Sequence, residues 1–323
     1  MNVIVIGLGS MGKRRIRLMK QYDSSLCIYG VDTNVERTSA VQKEYGIETF
    51  SSIHEVCTLH KIDAGFVCTA PLAHKGIIEE LIINSINVFT EINLVQEGYE
   101  QFANENSVKL FLSSTFLYRR DIQWIQKTVS AKRVNYQYHT GQYLPDWHPW
   151  ENYKNFFVGD KRTNGCREIL AIELPWIVKC FGKIKKVSVL KDSLSKLDLN
   201  YPDNYLIQIE HENGNKGQIA VDVVSRKAVR RIQIFNDELD IVWAGTPSSL
   251  QSYNLESKEY ETISTYDTIE KDNRYCDNII ENAYMDEIDA FFTWLKGDNS
   301  KVLHNFKDDK IILDLIDSIE GDI

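Results

Sequence analysis

The stretch V-I-V-I-G-L-G-S-M-G at residues 3–12 decides the fold of this 323-residue chain. Its apolar, β-branched start predicts a buried strand, and glycines follow at a G-x-G-x-x-G spacing. Gly7 allows a tight turn, Gly9 lets the backbone approach a pyrophosphate, and Gly12 lets helix and strand pack closely. The N–H groups at the start of the next helix then bind the anion. The stretch therefore predicts a dinucleotide-binding turn, with contacts from Gly7, Leu8, Gly9, Ser10, Met11 and Gly12.

Two further strand ends extend the predicted cofactor site. Asp32 ends the second strand 20 residues after Gly12, where an acid accepts hydrogen bonds from the adenosine ribose. An acid there repels a 2′-phosphate, so Asp32, with Thr33 beside it, favours NAD over NADP. The alternative is that Asp32 only caps the helix that starts near Asn34.

The third clear strand ends in C-T-A-P-L-A-H at residues 68–74, at the same carboxyl edge of the sheet. Ligands of open α/β sheets bind outside that edge. We therefore expect Thr69, Ala70 and Pro71 to border the cofactor. His74 begins the next helix, and for it a structural role is as well supported as a ligand contact.

The pattern along the chain predicts two domains. Residues 1–120 alternate apolar strands with amphipathic helices, which is typical of a doubly wound parallel Rossmann sheet. Residues 121–323 predict an α+β domain with a mostly antiparallel open sheet, including hairpins at residues 213–214 and 236–237. The predicted strands of the first domain are 2–7, 26–32, 64–70, 86–92 and 108–114. Its predicted helices are 11–22, 35–45, 74–84 and 97–105, and those of the second are 121–130, 164–180, 278–296 and 308–319.

Composition excludes several classes of function. The net charge of −9 argues against a nucleic-acid or anionic-membrane partner, since both require a basic surface. The first predicted strand begins at Asn2, so we expect no signal peptide, and no apolar run approaches the ~20 residues of a membrane helix. The six cysteines form no C-x-x-C pair. We therefore expect no metal site and reduced thiols in a cytoplasmic protein.

The chain resembles the Gfo/Idh/MocA oxidoreductases, the relatives of glucose–fructose oxidoreductase and inositol dehydrogenase. The resemblance lies in the glycine turn, C-T-A-P-L-A-H and F-T-E-I-N-L (89–94), followed by L-Y-R-R (117–120) and N-G-C-R-E-I-L-A-I-E-L (164–174). It implies NAD(P)-dependent hydride transfer at a carbon of a sugar or sugar derivative, and it favours a homodimer or homotetramer. It also implies that the closing helix, about 308–319, packs back on the first domain.

The resemblance fails at the residues that handle the proton. The family usually has Glu-Lys-Pro where this chain has Glu91-Ile92-Asn93, and isoleucine cannot replace the lysine. The family's later helix often has an aspartate and a histidine four residues apart. Aligned by its glycine, to within one residue, this chain has Ile169 and Glu173 there. We expect Glu91 and Asn93 to contact the cofactor and the proton to be handled from the second domain.

Three groups of residues are candidates for that proton transfer. Glu173 lies on an apolar helix stripe, where burial raises the pKa of a carboxyl group. The second group is Arg167, as a clamp for an anion, with Glu168 as base. The third is the loop Y-L-P-D-W-H-P-W at residues 143–150, with its acid–base groups Asp146 and His148. His148 is the first choice because imidazole titrates near neutrality.

Each candidate has a structural alternative. Glu173 pairs with Arg119 or Arg120 in the first, Arg167 and Glu168 form a surface pair in the second, and the tryptophan-rich loop is packing between the domains in the third. The predicted substrate contacts are Tyr118, Arg119, Trp147 and Trp150. The leading hypothesis is an NAD-dependent dehydrogenase or reductase of a sugar derivative, such as an amino sugar or nucleotide sugar. The competing hypothesis is a dinucleotide- or sugar-responsive binding protein without catalysis.

Overall fold

The structure is a computed structural model that describes residues 1–149, 151–272, 274 and 279–321. The chain divides into two compact units. The first comprises Met1–Thr115 and Tyr284–Ile311, and the second comprises Phe116–Ala283 and the residues from Ile312 onward. The predicted boundary at 120–121 and the predicted packing of the closing helix stay predictions.

The first unit contains a six-stranded, wholly parallel sheet in the order β3-β2-β1-β4-β5-β6. The prediction of a Rossmann sheet is confirmed. Its strands are β1 Asn2–Ile6, β2 Cys27–Val31, β3 Glu48–Phe50, β4 Ala64–Val67, β5 Asn87–Thr90 and β6 Leu110–Leu112. Its helices are α1 Ser10–Tyr22, α2 Val35–Tyr45, α3 Ile53–Leu59, α4 His74–Ile83 and α5 Tyr99–Phe102.

A ladder of phenylalanines holds one half of this sheet in register. Phe66, Phe89 and Phe111 come from the adjacent strands β4, β5 and β6, and their rings stack at centroid distances of 4.6 and 4.9 Å. Phe291 meets all three edge-on at 5.4–5.8 Å. Each such pair adds about 0.5–1.5 kcal/mol to the free energy of burial. The carboxyl ends of these parallel strands are thereby aligned along one edge of the sheet, and that of β4 lies beside the glycine turn.

The second unit contains an eight-stranded mixed sheet in the order β14-β13-β12-β11-β7-β10-β9-β8, in which only the β7–β10 pair is parallel. The prediction of a mostly antiparallel sheet is confirmed, as are the two hairpins. Its strands are β7 Asn135–Gly141, β8 Ile184–Asp192, β9 Asn204–His211, β10 Lys216–Asp222, β11 Val229–Phe235, β12 Asp240–Trp243, β13 Gln251–Asn254 and β14 Glu259–Thr262. The remaining helices are α6 Arg120–Val129, α7 Gly165–Phe181, α8 Glu281–Leu295 and α9 Phe306–Glu320.

Two short elements are absent from the sequence prediction. The strand β3 has three residues and α3 has seven, so neither is long enough to show a period. A local signal for α3 does exist, because Ser52 caps the helix by accepting the Glu55 N–H at 3.2 Å. This is the S-x-x-E pattern of a helix start. The predicted helix at 97–105 was too long, since α5 has a single turn.

Within the described ranges, no helix is long and apolar enough to cross a membrane. The cysteines that the structure describes, Cys27, Cys57, Cys68, Cys166 and Cys180, are all free thiols. Cys276 lies outside the described residues.

Candidate functional site

The glycine turn has the geometry that its spacing predicts. Gly7 has φ +91°, a left-handed value, and a Cβ there would lie 2.7 Å from the carbonyl oxygen of Cys68. A Cβ at Gly12 would lie 2.0 Å from the carbonyl oxygen of Gly7. Both positions therefore exclude any other residue. Gly9 differs, because its φ of −74° suits any residue and a Cβ there would meet no atom within 4 Å.

The free space at Gly9 borders the N-terminus of α1. No side chain caps that N-terminus within the described residues, so its first N–H groups point outward. Open space beside unbonded helix N–H groups is what a phosphate requires. The predicted contacts at Leu8, Ser10 and Met11 lie on this same turn.

Asp32 shapes the turn from the second strand. Its Oδ2 accepts the Leu8 N–H at 2.8 Å, and its Oδ1 accepts the Asn34 N–H at 2.9 Å. The helix α2 is capped by Asn34, not by Asp32, because the Asn34 side chain accepts the N–H groups of Glu36 and Arg37. Each carboxylate oxygen of Asp32 retains a lone pair for a ribose hydroxyl.

The strand β4 brings an unsatisfied hydroxyl to the turn. The Thr69 Oγ1 is buried and has no hydrogen-bond partner among the described residues. The Cγ2 of the same side chain would lie 2.9 Å from a Cβ at Gly7, so the hydroxyl stands beside the turn. A buried orphan of this kind fits a bound dinucleotide that supplies its partner. Ala70 and Pro71 follow, and Pro71 begins a short 3₁₀ turn before α4.

His74 and Asn93 join two strand ends. His74 is buried, and its Nε2 donates to the Thr69 carbonyl oxygen at 2.9 Å. Burial lowers the pKa of His74. The other ring nitrogen, Nδ1, faces the side-chain Oδ1 of Asn93. The contact of either residue with the cofactor stays a prediction.

Glu91 lies in a buried ion network. Arg15 Nε donates to its Oε1 at 2.6 Å, and Arg15 Nη2 also donates to Glu287 at 2.8 Å and to Ser113 at 3.4 Å. The Arg15 guanidinium packs over the Phe89 ring at 4.5 Å. Glu91 thus fixes the end of β5 to α1, and its predicted contact with the cofactor stays a prediction.

In the second unit, one face of α7 is accessible near its start. Among residues 165–174, only Glu168 and Ile172 are partly exposed, and they lie four residues apart on one face. The Glu168 Oε2 is buried without a hydrogen-bond partner in the described chain. Burial raises the pKa of this carboxyl group to about 8. Glu168 and Ile172 each lie one residue before Ile169 and Glu173, which the resemblance places at the family's aspartate and histidine positions. Ile169 and Glu173 are both buried.

Glu173 uses both carboxylate oxygens in the protein. Arg230 donates to Oε1 through Nε and Nη2, each at 2.8 Å. The Tyr138 hydroxyl donates to Oε2 at 2.6 Å and the Trp176 Nε1 at 2.7 Å. We expected Glu173 to pair with Arg119 or Arg120, and this was wrong, because the arginine that pairs with it is Arg230. Sequence alone did not single out Arg230 and Tyr138, although the alternation of β7 and β11 places both on the inner face.

Two arginines have partners that the sequence did not indicate. Arg119 is buried and pairs with Asp121 at 2.6 Å, and Tyr118 beside it is buried as well. Arg167 is also buried and pairs with Asp317 at 2.6 Å and with Glu320. The alternative of an Arg167–Glu168 surface pair was therefore wrong. These ion pairs occupy the arginines, and their substrate contacts stay predictions.

The aromatic loop packs at the start of α7. The Trp147 ring would lie 3.6 Å from a Cβ at Gly165, and its Nε1 donates to the Gln142 carbonyl oxygen at 3.1 Å. His148 is half-buried against Phe156 at a ring distance of 4.2 Å, and burial lowers its pKa. Asp146 is exposed. Trp150 lies outside the described residues.

Residues 1–110 match the model of the Gfo/Idh/MocA family, described as an oxidoreductase family with an NAD-binding Rossmann fold. The resemblance predicted from the sequence is confirmed over this part of the chain. No curated protein matches the sequence significantly.

Solved structures share the fold over nearly the whole chain. One is a myo-inositol dehydrogenase from Corynebacterium glutamicum, with TM-score 0.75, 16% identity, and coverage of 99% of this chain and 95% of that one. Another is the WlbA dehydrogenase from Bordetella pertussis in complex with NADH and UDP-GlcNAcA, with TM-score 0.77, 16% identity, and coverage of 98% and 94%. A third is the UDP-N-acetylglucosamine 3-dehydrogenase GnnA from Acidithiobacillus ferrooxidans, with TM-score 0.76, 15% identity, and coverage of 100% and 97%.

Proposed function

We propose, on the premise that residues 1–110 carry the NAD-binding Rossmann fold of the Gfo/Idh/MocA oxidoreductases, that this chain transfers hydride between NAD(H) and a carbon of a sugar derivative, with Glu168 as the proton carrier. The observation that carries the assignment of Glu168 is its position on the accessible face of α7 with a carboxyl oxygen that no described residue satisfies.

The cofactor preference rests on Asp32. NAD(H), when bound, supplies or accepts the hydride. The turn around Gly9 offers the phosphates unbonded N–H groups, and Thr69 offers a free hydroxyl. The Asp32 carboxylate favours a ribose 2′-hydroxyl and repels a 2′-phosphate. We therefore propose NAD over NADP.

Glu168 handles the proton in either direction of the reaction. In reduction, its protonated carboxyl group donates to the substrate oxygen as that oxygen becomes a hydroxyl. In oxidation, its carboxylate accepts the hydroxyl proton. A carboxyl pKa of about 8 leaves both forms populated near neutral pH, which suits a general acid–base. As the pH rises through about 8, the rate of reduction should fall because the acid form is lost. The rate of oxidation should rise because the base form is gained.

The residue pair Glu168 and His148 provides the decisive comparison. The assay is absorbance at 340 nm. It combines NAD and NADP with hexoses, amino sugars, uronic acids, cyclitols and nucleotide sugars, and it combines the reduced cofactors with keto-sugars.

With a substrate that is turned over, Glu168→Gln should lower kcat at least ~100-fold, because general acid–base groups contribute a factor of about 10²–10⁴ to the rate. His148→Asn should lower kcat less than tenfold, and both variants should keep the NADH affinity of the parent. A large loss in His148→Asn alone would assign the proton to His148.

A specific observation supports the second candidate, a dinucleotide- or sugar-responsive binding protein. Isoleucine occupies position 92, where the resemblance implies a lysine, and position 169, within one residue of where it implies an aspartate. NADH binding by fluorescence, without turnover in any arm of the same assay, would favour this function over catalysis.

The setting of the protein is also a proposal. We propose a cytoplasmic homo-oligomer, a dimer or tetramer, that takes a small sugar-like substrate. The free thiols of the described cysteines are compatible with a reducing compartment, and the family resemblance supports the assembly.

A further inference from the structure

Arg230 is anchored by the carboxylate of Glu173. Its Nε and Nη2 both donate to the buried Glu173, and its guanidinium packs over the Phe116 ring at 4.7 Å. The bonds to Glu173 use Nε and Nη2, Tyr138 also interacts with the guanidinium, and the side chain is 16% exposed. The arginine is thus held in a fixed orientation with donors left for a ligand.

The position of Arg230 relates it to the aromatic loop. It is the second residue of β11, directly opposite Thr140 near the end of β7. The loop of residues 142–148 leaves the sheet just after that point. Arg230 therefore belongs to the same end of the sheet as the predicted substrate loop.

A second arginine contacts the loop itself. Arg226 stacks on the Tyr143 ring at 3.8 Å and is exposed. It forms no ion pair with any described residue. The segment 226–231, R-K-A-V-R-R, has four cationic residues and no acid in a chain of net charge −9. Because Glu173 neutralises Arg230, Arg226 supplies the net positive charge.

We propose that Arg230 and Arg226 bind a carboxylate on the substrate, so that the substrate class is a uronic acid or a uronic-acid derivative. This inference rests on the proposed function for its substrate. The planar guanidinium of Arg230 matches a planar carboxylate in geometry and charge. Burying an ion pair seldom stabilises a fold more than apolar packing does, so the Glu173–Arg230 pair is better explained as a device that orients the arginine.

The test measures binding, not turnover. Calorimetry on the full chain saturated with NADH would compare glucuronate with glucose, and UDP-GlcNAcA with UDP-GlcNAc, since each pair differs by one carboxylate. Glucose 6-phosphate distinguishes a carboxylate from a phosphate. We expect the carboxylated member of at least one pair to bind at least ~10-fold more tightly.

The variants are chosen to keep the fold. Removing Arg230 alone leaves Glu173 buried and unpaired, so the test uses the double variant Arg230→Gln with Glu173→Gln. The ratio of the affinities for the carboxylated and the uncharged ligand should fall below threefold in this double variant. The same ratio should decrease in Arg226→Gln, whose side chain is exposed. Arg231→Gln is the matched control, because Arg231 is exposed on the opposite face of β11.

The outcomes separate the two proposals. No preference for a carboxylate, no binding by either pair, tighter binding of the phosphate, or an equal loss in Arg231→Gln would each overturn the inference. Glu168→Gln should keep the preference, because it affects only proton transfer. Turnover of neutral sugars without tighter binding of the carboxylated ligand would retain the proposed function and reject the inference. Tighter binding of the carboxylated ligand without turnover would retain the carboxylate site and reject the proposed catalysis.

Discussion

Glu168 shows how burial distinguishes two acids on one helix. Glu173 is fully satisfied by Arg230, Tyr138 and Trp176, whereas the Glu168 Oε2 has no described partner. A carboxyl group without a partner in a low-dielectric site favours its protonated form. The environment therefore makes Glu173 part of the scaffold and leaves Glu168 available for chemistry.

The raised pKa of Glu168 predicts a pH-dependent stability. The folded pKa is about 8, against an ordinary value of 4.5, so the folded state holds the proton more tightly than the unfolded state. This stabilisation is fully present below pH 4.5 and is lost as the pH rises to about 8. Urea unfolding should show Glu168→Gln gaining stability relative to the parent chain between pH 5 and pH 8. A constant difference across that range would show that the folded pKa is not raised.

The sequence predicted the residues of the cofactor turn better than those of the second site. Gly7 and Gly12 are identified by local geometry, because their spacing alone determines which positions tolerate no Cβ. Glu173 and Arg230 are 57 residues apart and meet only when β11 pairs with β7. No local pattern in a single sequence encodes that meeting, so the partner of Glu173 was predicted wrongly.

At the scale of elements, Arg15 ties α1 to the end of β5. It is buried between Glu91 and Glu287, and the arginine is the shared partner of the two carboxylates. The Ser114 N–H and the Ser113 hydroxyl also donate to Glu287. The E-I-N segment is thereby held by its glutamate, Glu91.

Replacing Arg15 tests this connection. Arg15→Met leaves two buried carboxylates unpaired, and the loss of one partner of a buried pair costs about 3–5 kcal/mol. The matched control is Lys13→Met on the same helix, since Lys13 is partly exposed and pairs with Glu44 at 3.3 Å. The control should cost less than about 1 kcal/mol of unfolding free energy in urea. A cost for Arg15→Met no greater than that of the control would contradict a structural role for the network.

For the whole molecule, the two compact units carry different polar groups. The first has a glycine turn with open N–H groups and a carboxylate, and the second has a partly exposed acid and a basic segment in an otherwise acidic chain. Alternating strands and helices predicted the first unit, and runs of strands predicted the second. The proposed ligand of the second unit depends on side chains brought together from separate strands, so composition alone could not indicate it.

Hydrogen exchange on the full chain tests this division of ligands. NADH should slow exchange at residues 7–12 and 32–34, where the backbone surrounds the phosphate and ribose positions, and glucuronate should slow it at residues 142–148 and 226–231. The control is Gly9→Ala, which the backbone tolerates because its φ of −74° is ordinary and no atom lies within 4 Å of the added Cβ. That methyl group fills the phosphate space, so the variant should fold normally and lose only the NADH protection. Protection by NADH that persists in Gly9→Ala, or that avoids residues 7–12, would place the dinucleotide elsewhere.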